Sequence, residues 1–279
     1  MRGADPGRTL MLINHRSGCE CMQEDSTALV TGGGRGIGQA ICVELARRGA
    51  DIVVADLNPN EMQETVDLVD TENQRACAVE TNVTDLESVE STVETALEEF
   101  GSVEYLVNNA GIAGPTALCE SIDSKEWDDT LDVNLRGAFY TCRTLLPSMK
   151  ARSYGRIVNV ASVTGKRPLT QRTPYAASKM GLIGFTRTLA AEVGDHDINV
   201  NAICPGSVDG PRIQRVFEEK AEATGRSYGA VRSDAESQSP RNELVNREDV
   251  ANTVAFLCSS DADRMTGQDL NVSAGKVMY

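Results

Sequence analysis

Short apolar runs alternate with single helices along this chain, and that alternation limits its fold more than any other feature. Strands are predicted at Ser26–Thr31, Ile52–Ala55, Ala76–Val79, Tyr105–Val107, Arg156–Ala161, Ile198–Ile203 and Asp269–Val272. Because most of these runs are continuously apolar, the strands should be buried on both faces of a parallel sheet. Right-handed crossovers then give a doubly wound α/β fold, with a seven-stranded, mostly parallel sheet and helices on both faces.

The segments between the strands have the apolar spacing of helices, and nothing divides the chain into separate units. Helices are predicted at about 37–46, 59–70, 85–100, 125–150 and 173–193, with Pro147 near the end of the fourth. The polar segment of about 207–245 is predicted to form a lid, with helices near 213–223 and 230–235. We therefore expect one dinucleotide-binding domain over 22–279. Residues 1–21 hold an apolar run of only four residues, too short for a signal peptide, and are expected to be a disordered extension.

The charge and cysteine content exclude several classes of function. Lys and Arg total 27 against 41 Asp and Glu, a net charge of −14, so no general attraction to nucleic acid or anionic lipid is expected. No apolar run approaches the ~20 residues that span a bilayer. The eight cysteines are scattered, which favours reduced thiols in a cytoplasmic protein. Cys19 and Cys21 have only His15 nearby, so no metal site is expected.

A glycine-rich loop follows the first strand and opens the first helix. Glycines there allow a tight turn and close approach to a pyrophosphate, which the N–H groups of the helix N-terminus stabilise. The loop residues expected to contact a dinucleotide are Gly32, Gly34, Arg35, Gly36, Ile37 and Gly38. The second strand ends at Asp56, where a carboxylate accepts hydrogen bonds from the adenosine ribose. This combination predicts a Rossmann-type dinucleotide site.

The same residues bear on the choice between NAD and NADP. The Asp56 carboxylate would repel the additional phosphate of NADP, which favours NAD. Arg35 is evidence in the other direction, because a cation in the loop can pair with that phosphate. Leu57 follows Asp56 and offers no second cation. NAD is therefore the predicted cofactor.

A tyrosine and a lysine four residues apart supply the second chemical signal. Tyr175 and Lys179 should lie on one helix face, one turn apart. A phenol alone is a poor base at neutral pH, and a neighbouring ammonium together with an oxidised nicotinamide favours the phenolate. Ser162 ends the preceding strand at the carboxyl edge of the sheet, where its hydroxyl can hold a substrate oxygen while the phenol transfers a proton.

Together these motifs resemble the short-chain dehydrogenase/reductase family from about residue 26 to the C-terminus. The resemblance implies a catalytic tetrad of Asn134, Ser162, Tyr175 and Lys179. In the family, the asparagine keeps the long helix open around a water that leads to the lysine, and the lysine also holds the nicotinamide ribose. The cofactor contacts that it implies beyond the glycine loop are Asp56, Leu57, Asn82, Val83, Asn109, Ala110, Gly111, Tyr175, Lys179, Pro205, Gly206 and Val208. The implied reaction is hydride transfer between the nicotinamide and a carbinol carbon.

The chain departs from the family pattern at two places. Asn82 stands where Asp is usual, and its side chain can still accept a hydrogen bond from the adenine amino group. Gly210 stands where Thr is common, which removes one hydroxyl contact to the cofactor.

Cationic residues surround the predicted pocket and bear on the substrate. They are Lys166, Arg167, Arg172 and Arg212. In an acidic chain, this grouping favours an anionic hydroxy compound held by Ser162 with Arg172 or Arg212 as the anchor. The alternative is that these cations form salt bridges in the lid or between subunits.

The helix at about 173–193 is apolar on most sides, which predicts a homodimer or homotetramer. Three functions remain open from the sequence. The favoured one is an NAD-dependent secondary-alcohol dehydrogenase. The alternatives are an NADPH-dependent 3-oxoacyl-carrier-protein reductase and a non-catalytic NAD(H)-binding sensor.

Overall fold

A computed structural model describes residues 22–23 and 25–279. The strands are β1 (Thr27–Thr31), β2 (Asp51–Asp56), β3 (Ala76–Glu80), β4 (Tyr105–Asn108), β5 (Gly155–Val160), β6 (Ile198–Pro205) and β7 (Asp269–Val272). The α-helices are α1 (Gly36–Arg47), α2 (Pro59–Asp70), α3 (Leu86–Phe100), α4 (Ser124–Leu131), α5 (Gly137–Arg152), α6 (Thr173–Val193), α7 (Pro211–Thr224), α8 (Tyr228–Ser237) and α9 (Arg247–Cys258). The predicted extension of residues 1–21 lies outside the described residues.

All seven strands form one parallel sheet in the order β3-β2-β1-β4-β5-β6-β7. The chain order reverses between β1 and β4, which leaves a crevice at their carboxyl ends. Every residue of β1, β4, β5 and β6 is buried, as expected for strands covered on both faces. The predicted doubly wound α/β fold is confirmed.

Helices cover the two faces of the sheet and form two large apolar cores. Residues of α1, α2 and α9 pack on one face, against side chains such as Val30 and Val54. Residues of α3, α5 and α6 pack on the other face, against the alternate side chains Leu29 and Val53. Successive side chains of a strand point to opposite faces, so both faces of the sheet are packed against helices. The packed sheet is a rigid support for the loops at its carboxyl edge.

The helix predicted over 125–150 is wrong as a single α-helix. A π-helical turn at Asp132–Arg136 separates α4 from α5, while Pro147 lies inside α5. The turn occurs where the side chain of Asn134 bonds to the backbone of Ile112, on the loop after β4. Single π turns inside helices mark functional sites in many proteins, and this one brings Asn134 to the carboxyl edge of the sheet.

Two helices lie in the segment predicted as a lid. α7 and α8 share a small apolar core of Phe217, Ala221, Val231 and Leu244. The Phe217 and Tyr228 rings meet edge to face, 6.2 Å between centroids. Over the described part of the chain, no helix has the length and apolarity needed to cross a bilayer.

Candidate active site

The glycine loop forms a close turn at the start of α1. Gly32 and Gly36 have φ of 63° and 58°, a region that favours glycine. A Cβ on Gly38 would overlap the carbonyl oxygen of Gly32. No side chain caps the first turn of α1 and no acidic residue lies in it, so its N–H groups can bind an anion. A Cβ on Gly36 would meet no atom within 4 Å, which leaves room beside the turn for a pyrophosphate.

Asp56, at the end of β2, faces this loop. Its Oδ2 accepts the Gly34 N–H at 2.9 Å, and its Oδ1 accepts the Leu57 N–H at 2.7 Å. The Arg35 guanidinium extends to Glu61, 3.2 Å away, with its side chain 79% exposed. Leu57 is 62% exposed and carries no charge. A phosphate on the adenosine ribose would therefore face the carboxylates of Asp56 and Glu61. The nearby cation, Arg35, is exposed and already paired with Glu61.

Asn82 and Val83 follow β3 at the same edge. The Asn82 Oδ1 accepts both the N–H and the hydroxyl of Thr84, at 3.1 and 2.8 Å. Both lone pairs of that oxygen are therefore engaged within the turn, and a hydrogen bond from adenine would have to displace one of these donors. Val83, the next residue, is buried and supplies an apolar surface beside Asn82 and Thr84.

The residues after β4 are joined to the glycine loop by hydrogen bonds. Asn109 Nδ2 donates to the carbonyl oxygens of Thr31 and Gly32, at 3.0 and 2.8 Å. Thr31 Oγ1 accepts the N–H groups of Asn109 and Ala110, both at 3.1 Å. The sequence prediction included Asn109, Ala110 and Gly111 but gave no role to the Thr31 hydroxyl. Its position at the end of a strand, before the glycines, is the signal that identifies it.

Asn134 joins the loop after β4 to the π turn and to α6. Its Oδ1 accepts the Ile112 N–H at 2.8 Å, and its Nδ2 donates to the Ile112 carbonyl at 3.0 Å and to Ser178 Oγ at 3.1 Å. The side chain is 1% exposed. A Cβ built on Gly111 would lie 3.1 Å from Asn134 Oδ1 and 3.5 Å from Lys179 Nζ, so these groups share one small region.

Tyr175 and Lys179 lie one turn apart near the start of α6. Lys179 is 4% exposed, and its Nζ donates to the Val160 carbonyl at 2.8 Å and lies 5.8 Å from the centroid of the Tyr175 ring. Ser162 comes two residues after Val160, and its Oγ accepts the Thr164 N–H at 3.1 Å. The hydroxyl proton of Ser162 is not needed for that bond, so it can be donated to a substrate oxygen.

Pro205, Gly206 and Val208 continue from β6 toward the lid. The Gly206 N–H donates to the Val272 carbonyl at 2.8 Å, and Val208 pairs with Val245 in an isolated parallel bridge. Because β6 pairs with β5, this arrangement places the segment at the carboxyl edge, on the side of the loop that carries Ser162.

Within the predicted lid, an ion pair that the sequence analysis missed joins the residues after β6 to α8. Asp209 Oδ2 lies 2.7 Å from Arg232 of α8, and Oδ1 accepts a second, longer bond from the same guanidinium. Glu236 binds the Nε of Arg232 at 2.8 Å. The hydrogen bonds from Arg232 lower the pKa of Asp209 below its usual range.

Two of the predicted cations, Lys166 and Arg172, have different surroundings. Lys166 Nζ lies 2.9 Å from Asp269, which also binds Arg187, so Lys166 belongs to a salt-bridge network. Arg172 donates to Thr116 Oγ1 at 2.6 Å, and its guanidinium carbon lies 5.7 Å from the centroid of the Tyr175 ring. The side chain of Arg212 lies outside the described parts of the structure. Lys166 thus fits the salt-bridge alternative.

Comparisons with known proteins agree with this geometry. The family model described as short chain dehydrogenase matches residues 26–221. The chain is 37% identical over 255 residues to short-chain reductase protein NovJ of Streptomyces niveus, covering 91% of this chain and 95% of that protein. It is 35% identical over 255 residues to the 3-oxoacyl-(acyl-carrier-protein) reductase FabG of Escherichia coli strain K12, covering 91% and 98%.

Solved structures extend the comparison to both dinucleotides. NAD+-bound xylitol dehydrogenase superposes with a TM-score of 0.86 at 30% identity, covering 90% of this chain and 99% of that chain. A variant of actinorhodin polyketide ketoreductase with NADPH superposes with a TM-score of 0.88 at 32% identity, covering 92% and 100%.

Proposed function

The chain belongs to the short-chain dehydrogenase family and is an NAD(P)-dependent oxidoreductase, and we propose that it transfers a hydride between a secondary alcohol or ketone and NAD. The observation that supports the proposal is that Lys179 Nζ lies 5.8 Å from the centroid of the Tyr175 ring and donates to the carbonyl of Val160, two residues before Ser162, at the carboxyl edge of the sheet.

In the proposed reaction the tyrosine moves the proton. During alcohol oxidation, the substrate hydroxyl proton passes to the Tyr175 oxygen while the C–H bond breaks. The bound nicotinamide supplies the acceptor, or in reduction the donor, of the hydride. Ser162 Oγ donates a hydrogen bond to the substrate oxygen, and the buried Lys179 supplies positive charge one helical turn from the phenol. Asn134 holds the surrounding loop in place.

The cofactor is proposed to be held by the predicted contacts. The N–H groups at the start of α1 would bind the pyrophosphate, and Asp56 would accept the ribose hydroxyls. Gly206 and Val208 would lie at the nicotinamide end. The preference for NAD rests on Asp56 and on the pairing of Arg35 with Glu61, which leaves a 2′-phosphate facing two carboxylates.

The test measures binding and turnover separately. Fluorescence titration should give tighter binding of NADH than of NADPH, and Asp56→Asn should narrow the difference by at least tenfold, because it removes the charge and keeps the shape. NADH formation from NAD over a panel of secondary alcohols should disappear in Tyr175→Phe. Equal affinity for the two dinucleotides, or turnover that survives in Tyr175→Phe, would contradict the proposal.

A second candidate is an NADPH-dependent 3-oxoacyl-carrier-protein reductase, favoured by the 35% identity to a reductase of that name. It predicts faster oxidation of NADPH than of NADH with acetoacetyl-coenzyme A as the test substrate. The third possibility, a sensor, predicts NADH binding without Tyr175-dependent turnover of any substrate.

The oligomeric state and location stay predictions of this proposal. Exposed apolar side chains on α5 and α6, Phe139 and Met180, are consistent with the predicted homodimer or homotetramer. A cytoplasmic location is expected from the thiol content alone.

A further inference from the structure

The segment after β7 folds back onto the loop that follows Ser162. The Lys276 N–H donates to the Ser273 carbonyl at 2.9 Å, which closes a tight turn at the carboxyl end of β7. Val277, 4% exposed, then packs in one apolar cluster with Ala161 and Val163, the residues on either side of Ser162. This packing fixes Lys276 between the Ser162 loop and the segment after β6.

Lys276 itself is half-buried against the predicted nicotinamide end of the site. Its Nζ donates to Ser207 Oγ at 3.3 Å, and Ser207 stands between Gly206 and Val208. Arg167 lies in the loop after Ser162, where its N–H donates to the Val163 carbonyl at 3.0 Å. Burial, and then the charge of Arg167, lower the pKa of Lys276 below its usual range. Val163 and Val277 belong to one apolar cluster, so the loop that carries Arg167 packs against the segment that carries Lys276.

Neither of these cations has a compensating acid among the side chains that the structure describes. No Asp or Glu oxygen there lies within 4.0 Å of the charged nitrogens of Lys276 or Arg167. The neighbouring Lys166 shows the contrast, because Asp269 neutralises it at 2.9 Å. Half-buried like charges without a counter-ion are unfavourable, and an anion placed between them relieves both the desolvation and the repulsion.

We propose that Lys276 and Arg167 together bind an oxyanion of the substrate, so that the enzyme acts on hydroxy compounds bearing a carboxylate or a similar group. This inference rests on the proposed dehydrogenase function. An ammonium offers three donors, and a guanidinium binds a carboxylate through two parallel bonds, so the pair can fix the substrate while Ser162 and Tyr175 hold its hydroxyl. The pair replaces Arg172 and Arg212 as the proposed anchor.

The test compares substrates of one shape that differ in charge. Hydroxy acids of four to six carbons, with the hydroxyl at carbon 2, 3 or 4, are paired with their primary amides, and kcat/KM is measured with NAD. The acid should exceed its amide by tenfold or more for at least one skeleton. That ratio should fall at least fivefold in Lys276→Met and in Arg167→Gln, chiefly through KM.

Two variants serve as controls for charge and position. Lys276→Arg keeps the charge and should keep the preference. Arg264→Gln removes one exposed cation from the loop before β7, at the opposite edge of the sheet, and should leave the acid-to-amide ratio unchanged. A ratio near one in the wild type, or a ratio that survives in both Lys276→Met and Arg167→Gln, overturns the proposal while leaving the dehydrogenase function intact.

A binding measurement separates failure of the anchor from failure of the function. Calorimetric titration of the NAD-saturated protein with the matching oxo acids and oxo amides reads the anchor without turnover, because neither the oxidised cofactor nor the oxo compound can donate a hydride. Binding of the acids that is lost in Lys276→Met, together with no Tyr175-dependent turnover, supports the anchor and rejects the proposed function. Equal binding of acids and amides rejects the anchor.

Discussion

Substitution of Asn134 by alanine should loosen the loop after β4 and lower stability measurably. The change removes three hydrogen bonds, two of them to the backbone N–H and carbonyl of Ile112. Ser178 keeps its bond to the Tyr175 carbonyl, so the two Ile112 groups account for most of the loss. A buried polar group left without a partner costs about 1–3 kcal/mol. Because Ile112 is 40% exposed, water satisfies part of what is lost, so we expect a loss of about 1–3 kcal/mol and a fall in Tm of roughly 2–6 °C.

Thermal unfolding followed by circular dichroism measures that loss, and amide hydrogen exchange locates it. The Ile112 amide should exchange much faster in Asn134→Ala, because its acceptor is gone. Asn199→Ala is the matched control, since Asn199 is also buried but donates to the carbonyl of Asp263, at the amino edge of the sheet. Exchange at Ile112 should be unaffected by that control. A Tm within about 1 °C of the wild type, or unchanged exchange at Ile112, would refute the reasoning.

Three further outcomes follow from the described contacts. Gly38→Ala should weaken NADH binding more than tenfold with the far-ultraviolet spectrum retained, because the new Cβ overlaps the Gly32 carbonyl; an unchanged dissociation constant would contradict this. Asp209→Asn should speed proteolysis of the lid at pH 7. Since Arg232 lowers the pKa of Asp209, the wild-type lid should stay protected down to about pH 4 and lose protection only as the pH falls through the lowered value. Cys119→Ser should remove a fast thiol reaction with Ellman's reagent at pH 8, whereas the four buried cysteines of the described chain should react only on unfolding.

Sequence alone could bring the residues of the proposed cofactor site to one edge, because the strands of a parallel sheet all end on the same side. All strands run in one direction, so residues that follow different strands meet at one edge. The strand ends alone predict this edge for Asp56, the last residue of β2, and for Ser162, which follows β5, and the structure has both there. The proximity of Tyr175 and Lys179 could be predicted from their i, i+4 spacing, because both residues lie on one helix.

Features that depend on long-range contacts were not visible in the same way. The apolar spacing continues through the π turn, so the sequence indicates one helix, although Asn134 bonds to a residue 22 positions earlier. Lys166 and Arg167 are adjacent and look equivalent in sequence. Lys166 meets the backbone of Asp269, 103 positions away, whereas Arg167 lies near a lysine in the segment after β7. Sequence alone identified the cationic residues at this edge, but it could not show which of them are neutralised by a carboxylate.

The two halves of the site are held by different kinds of interaction, and this has a consequence for specificity. The cofactor half is fixed by bonds to backbone groups of the sheet and its loops, such as those of Thr31 Oγ1 and of Lys179 with the Val160 carbonyl. Within the predicted lid, α8 is held to the residues after β6 by the side-chain pair of Asp209 and Arg232. A side-chain pair in the lid can be exchanged without moving a strand of the sheet. Substitutions of α7 and α8 side chains that do not contact Gly206 or Val208 should therefore alter the choice of substrate more than the affinity for the dinucleotide.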